Sequence, residues 1–149
     1  MQINRNQEIL MEMIAHYKNL HEVDAIGLGG SSTAKMADNK SDYDIYIYSK
    51  QEPDVQKRRE IAEKYADKPE IDNHYFETGD TFRLRETNKP IDIMYRNPRF
   101  IEDNVKWVWE DCNASLGYTT CFVDNIKKTQ ILYDRNGWLE NIKKRVDTP

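Results

Sequence analysis

Residues 27–49 read GLGGSSTAKMADNKSDYDIYIYS, and the reading of this stretch decides the fold. Just upstream, the apolar run from Val23 to Leu28 ends in glycine, which predicts a short strand feeding a turn where the backbone can bend tightly or approach another group closely. Ser31 to Met36 leaves room for one or two helical turns, with Ser31 or Ser32 as the cap. SDYDIYIYS is β-branched and aromatic and predicts a second strand. Its period-two alternation sets Asp42, Asp44, Tyr46 and Tyr48 on one face and Tyr43, Ile45 and Ile47 on the other. Two aspartates on one strand face repel unless they are solvated or bridged by a cation, so turn chemistry alone does not explain the second one.

Outward from this centre, residues 4–20 carry Ile9, Leu10, Met13, Ile14, Tyr17 and Leu20 at three- and four-residue spacing, the pattern of an amphipathic helix with Asn4 or Asn6 as cap. Pro53 fits the first position of a second helix running to about Ala66, with Val55, Ile61, Ala62 and Tyr65 as a thin apolar stripe. Residues 71–96 predict β-structure with turns at Thr78-Gly79 and Asn88-Lys89-Pro90. In the last of these strands Ile91, Ile93 and Tyr95 face one side, and Asp92 and Met94 face the other. Asn97-Pro98 caps and starts a further helix, and the tail reads as two more helices around the apolar Ile131-Leu132-Tyr133. The predicted order, α-β-α-β-α-β-β-β-α-α-α, gives an α/β (α+β) domain: a mixed β-sheet flanked by helices. Its expected division is a core over 1–96 and a C-terminal helical segment over 97–149 packed on that core.

Composition narrows the classes of function. At 149 residues the chain suits one domain; 9 Tyr and 3 Trp argue for a packed core despite 32% charged residues. A net charge of −4 supplies no basic field for duplex nucleic acid, which disfavours a polynucleotide partner. Cys112 and Cys121 lack paired metal-ligand spacing, so reduced thiols and a cytoplasmic location are the expectation. No signal sequence or membrane span is expected, because the N-terminus opens on polar residues and nowhere do 18 apolar residues run together.

A glycine turn leading into a helix presents unpaired backbone N–H groups, a setting for polyphosphate, and nearby carboxylates suit a hard divalent cation such as Mg²⁺. Gly30-Ser31 followed by Ser41-Asp42-Tyr43-Asp44, with Asp92 in the later strand IDIMY, resembles the signature of the DNA polymerase β-like nucleotidyltransferase superfamily, in particular its small bacterial members. The resemblance implies that Asp42 and Asp44 hold two Mg²⁺ ions, with Asp92 binding one of them and helping to deprotonate the attacking hydroxyl. It implies further that Gly29, Gly30, Ser31, Lys35 and Ser41 form the nucleotide cradle. One position departs from the family pattern: Lys35 stands where its second glycine would be, and its ammonium can act as a point charge on phosphate. The reaction so implied moves a nucleoside monophosphate from a nucleoside triphosphate, ATP being the favoured donor, to a hydroxyl of a small molecule or a protein. The competing reading is a protein-interaction module that keeps the fold without catalysis, such as one half of a toxin–antitoxin pair.

The remaining candidates have plainer readings. His16, His21 and His74 are scattered and read as surface or packing residues; Trp107, Trp109 and Trp138 read as helix-packing residues. Lys57, Arg58 and Arg59 read as a solvated helix face, and Asp80 beside Gly79 as a turn residue, with a place on the acceptor side as the alternative. The helix that stops at Asp147-Thr148-Pro149 suggests either a truncated chain or a protomer that completes its acceptor site as a homodimer.

Overall fold

The computed structural model describes residues 4–29, 42–74, 78–106 and 125–147. Helix α1 (Arg5–Tyr17) opens on a capping box: the Asn4 side chain accepts from the Gln7 backbone N–H at 2.8 Å, and the Gln7 side chain accepts from that of Asn4 at 3.0 Å. There follow β1 (Val23–Leu28), β2 (Tyr43–Ser49), α2 (Val55–Glu63), β3 (Glu70–Asn73), β4 (Gly79–Arg83), β5 (Pro90–Arg96), α3 (Pro98–Val105), β6 (Gln130–Asp134) and α4 (Trp138–Asp147). Helix α2 starts two residues after Pro53, with Asp54 at the N-cap. Helix α3 begins as expected, with Asn97 as cap and Pro98 in the first turn.

All six strands join one mixed sheet in the order β3-β4-β5-β2-β1-β6. Its central pair, β2 with β5, is parallel, and the other neighbours are antiparallel. Parallel neighbours cannot be joined by a hairpin, and the chain between these two makes α2 and the β3–β4 excursion before returning. The alternation read from the sequence sorts the two faces. Tyr43, Ile45, Ile47, Ile91, Ile93 and Tyr95 pack with the apolar stripe of α1 and with Ile61 and Ala62 of α2. On the opposite face Tyr46 and Tyr48 pack with Ile101, Val105, Leu139, Ile142 and Val146 of α3 and α4. Helices therefore cover both faces, the α+β arrangement expected from the sequence.

Three expectations are corrected. Residues 130–134 form a strand where only two helices around Ile131-Leu132-Tyr133 were expected, and they pair with the outer edge of β1. Five residues are too few for a stable helix, and the open edge of β1 supplies the backbone partners that local periodicity cannot foresee. Asp134 then caps α4, accepting from the Leu139 and Glu140 N–H groups at 3.1 and 2.9 Å. Gly79 is a strand residue paired with Met94, at a point where any Cβ would run into the Ile93 carbonyl oxygen. Arg58 and Asp80 are not surface groups: Arg58 is 0% and Asp80 1% exposed. They find each other from α2 and β4, and a charge is tolerated inside a domain when it is paired and hydrogen-bonded.

The helical turns expected over 31–36, Trp107, Trp109, Cys112 and Cys121 lie outside the described residues. No helix among the described residues is long and apolar enough to cross a membrane.

Candidate functional site

Register brings the candidate residues together. In the parallel β2–β5 pair Asp44 lies directly beside Asp92, and register partners in a parallel pair face the same side. Both are half-buried; Asp42, two residues before Asp44, is exposed just ahead of β2. Beyond Asp92, β4 contributes Thr81, whose hydroxyl donates to Asp92 Oδ1 at 3.1 Å. Beyond Asp44, β1 runs out at Leu28, and the Gly29 N–H donates to the Asp44 carbonyl at 2.7 Å. A Cβ on Gly29 would lie 2.6 Å from Tyr46 Cε2 and 3.4 Å from Asp44 Cβ, so the strand can approach this closely only with glycine there. Thr81, Asp92, Asp44 and Gly29 thus form a row across four neighbouring strands.

The row suits a hard divalent cation in kind and in number. All its side-chain donors are oxygens, the kind a hard divalent cation takes, and two of them are carboxylates on adjacent strands. Among the described residues no three His, Cys, Asp or Glu side chains converge to hold a metal ion. Mg²⁺ does not need such a cage, because it binds through one or two carboxylates and fills its octahedron with water and substrate phosphate. Of the three carboxylates expected as ligands, the structure places Asp44 and Asp92 side by side and Asp42 at the open end of the same run. Gly30, Ser31, Lys35 and Ser41 lie outside the described residues.

Behind the row, on the other face of the sheet, sits a buried ion pair. Arg58 Nη2 and Nε donate to Asp80 Oδ1 and Oδ2 at 2.6 and 3.2 Å, the Tyr95 hydroxyl donates to Oδ2 at 2.7 Å, and the Asp72 N–H donates to Oδ1 at 2.9 Å. The guanidinium lies 4.1 Å from the centre of the Tyr95 ring. Burial alone would lower the basicity of Arg58, but its hydrogen bond to Asp80 and the surrounding negative charge outweigh this and raise it. Burial also pushes the Tyr95 phenol well above its ordinary range and raises that of Tyr17, with Asp80's charge acting in the same direction on both. Sequence reasoning missed Arg58, Asp80 and Thr81 as supports of the site. Their pairing depends on which strands neighbour which, and no local pattern encodes that.

A separate cleft lies elsewhere. About 870 Å³ in volume, it is lined by Asp24, Lys50, Asn97, Glu102 and Trp138 among others, at the opposite ends of β2 and β5 from the carboxylates.

No family model matches the sequence, and no curated protein matches it. Among solved structures the chain is similar to the crystal structure of a nucleotidyltransferase-like protein from Exiguobacterium sibiricum 255-15, with a TM-score of 0.52 at 12% sequence identity. The likeness covers 95% of this chain and 38% of that one, so this chain spans well under half the length of its structural neighbour. At that identity the likeness establishes the fold, which is nucleotidyltransferase-like.

Proposed function

We propose that this nucleotidyltransferase-like fold is a Mg²⁺-dependent enzyme of the polymerase β-like kind, transferring a nucleoside monophosphate from a nucleoside triphosphate to a hydroxyl of a small molecule or a protein. The observation that carries the reading is the register of Asp44 beside Asp92 on the central parallel strands, with Asp42 on the same run and Gly29 closing against Asp44. Two carboxylates set side by side on adjacent strands are a pairing that a cation favours, which supports a metal-dependent reading. ATP is the favoured donor.

In this reading the acceptor oxygen attacks the α-phosphorus, the bond from that phosphorus to the bridging oxygen breaks, and pyrophosphate leaves. Two Mg²⁺ ions, when bound, supply charge neutralisation of the phosphates and of the departing pyrophosphate. Asp42 and Asp44 would hold them, and Asp92 would share in binding one. Asp92 also receives the proton of the acceptor hydroxyl, acting as the general base beside the reacting oxygen. Gly29, Gly30, Ser31, Lys35 and Ser41 are the residues assigned to the phosphates, with the Gly29 N–H itself committed to the Asp44 carbonyl.

Thermal unfolding with each of the four ribonucleoside triphosphates, with and without Mg²⁺, tests this reading on the wild type and on Asp42→Asn/Asp44→Asn. Ligand at a hundredfold excess over its dissociation constant stabilises by about 2.7 kcal/mol, an upward shift of about 5–10 °C for a domain of this size. We expect that shift with Mg²⁺ and one nucleotide in the wild type and its loss in the double variant. No shift with any nucleotide in folded wild-type protein would turn the reading to a non-catalytic interaction module.

A further inference from the structure

Asp92 sits on β5 between β2 and β4, and it takes a hydrogen bond from a β4 residue that is itself tied to β3. Thr81 Oγ1 lies 3.1 Å from Asp92 Oδ1, and Asn73 Nδ2 lies 3.3 Å from the same Thr81 oxygen. A carboxylate can only accept, so the threonine hydroxyl must spend its one proton on Asp92. That leaves the hydroxyl oxygen as acceptor toward β3, which requires Asn73 to present its NH₂ and not its carbonyl. A β-branched side chain in a strand is already stiff about χ1, and the amide contact removes the remaining freedom of the hydroxyl.

The placement of Asn73 is itself built. The β3–β4 ladder slips between Glu70 and Asn73, and Asp72 at this bulge has φ of 62°. Aspartate tolerates that left-handed geometry better than most residues, and here its N–H is tied to Asp80 Oδ1 at 2.9 Å. Asp80 is in turn locked by Arg58 and by the Tyr95 hydroxyl. Asp80 and Thr81 are adjacent and point to opposite faces, so the buried pair on one side of β4 pins the residue that reaches Asp92 on the other.

We propose that the edge hairpin β3–β4 orients Asp92 through the relay Asn73 to Thr81 to Asp92, making Thr81 and Asn73 positioning residues of the carboxylate row. The consequence for metal binding rests on the functional reading above; the orientation of Asp92 does not. An outer partner of a metal-binding carboxylate typically changes metal affinity by about 10–100-fold when removed.

The test compares Thr81→Val, which keeps the shape and loses the hydroxyl, with Thr81→Ser, which keeps the hydroxyl. In metal-free protein, three-bond NMR couplings to Asp92 Cγ report whether its side chain holds one rotamer. The wild type and Thr81→Ser should show a single rotamer, and Thr81→Val averaged couplings. Mn²⁺ affinity should weaken about tenfold in Thr81→Val and return with Thr81→Ser. Should Thr81→Val fail to fold, Asn73→Ala carries the same test, with averaging in the same direction. A variant that lacks the hydroxyl or the amide and keeps wild-type couplings overturns the relay. A wild type that binds no Mn²⁺ refutes the functional reading, while the couplings still decide the relay.

Discussion

Two carboxylate pairings stand back to back in the middle of this sheet, and they are built on opposite principles. Asp80 is fully buried and saturated: a bidentate guanidinium, a phenol and a backbone N–H all donate to it. Asp44 and Asp92 are half-buried neighbours of the same sign on adjacent strands. The first arrangement spends polar groups on the fold, since every charge there is answered from within the protein. The second holds like charges together on adjacent strands beside a close-packed glycine, and in the functional reading proposed above a ligand would complete it. Burial and full pairing mark Asp80 as a structural carboxylate, one residue away along β4 from the threonine that donates to Asp92.

The largest test of this contrast is on the saturated side. Asp80→Asn leaves the buried Arg58 charge with only the more distant Asp72 carboxylate, 3.8 Å away, and should destabilise the fold by about 3 kcal/mol in urea unfolding. The double variant Arg58→Met/Asp80→Leu should recover part of that loss, because it removes both buried charges while leaving the Tyr95 hydroxyl and the Asp72 N–H without their acceptor. Equal losses in the single and double variants would mean that the pair is not the anchor of β4.

Next in size is Gly29→Ala. Its Cβ would sit 2.6 Å from the Tyr46 ring, and the forced shift should cost about 1–3 kcal/mol and loosen the end of β1 against Asp44. A variant as stable as the wild type would show that the close approach is not required.

Alkaline pH offers an intermediate effect. Tyr17 and Tyr95 are held protonated by burial, so their folded-state pKa values lie above the ordinary value of 10.0. Above about pH 10 the unfolded chain gives up these protons and the folded chain does not, so stability is full below that pH and falls as pH rises past it. Urea midpoints measured between pH 8 and 11 should drop above 10. Tyr17→Phe should flatten the drop at little cost near neutrality, since the buried Tyr17 hydroxyl has no hydrogen-bond partner among the described residues.

The smallest stability effect belongs to the site itself. Asp44→Asn should leave the unfolding free energy within about 1 kcal/mol of wild type, or raise it, by relieving the repulsion from Asp92. A loss as large as that of Asp80→Asn would erase the distinction between the two pairings.

These differences explain what could be read from the residues alone. The alternation in SDYDIYIYS and PIDIMYR correctly sorted both central strands into an apolar face and a face carrying Asp44 and Asp92, because a strand's period of two is a local property. The caps at Asn4 and Asn97 were legible for the same reason. What was not legible depends on distant partners. Ile131-Leu132-Tyr133 becomes a strand only because β1 has an edge to fill, and Arg58 is drawn inside only because Asp80, 22 residues away, awaits it. Thr81 gains its role from a three-strand register, and a single threonine in a strand carries no sign of it.

The central claim is that the Asp44–Asp92 row binds a divalent cation together with a nucleotide. Electron paramagnetic resonance of Mn²⁺ with the wild type and with Asp44→Asn/Asp92→Asn, each with and without ATP, measures this most directly. The account predicts saturable Mn²⁺ binding that tightens with ATP in the wild type and is lost in the double variant while its unfolding midpoint is kept. Equal Mn²⁺ binding by the two proteins, or none by folded wild type in the presence of ATP, would contradict it.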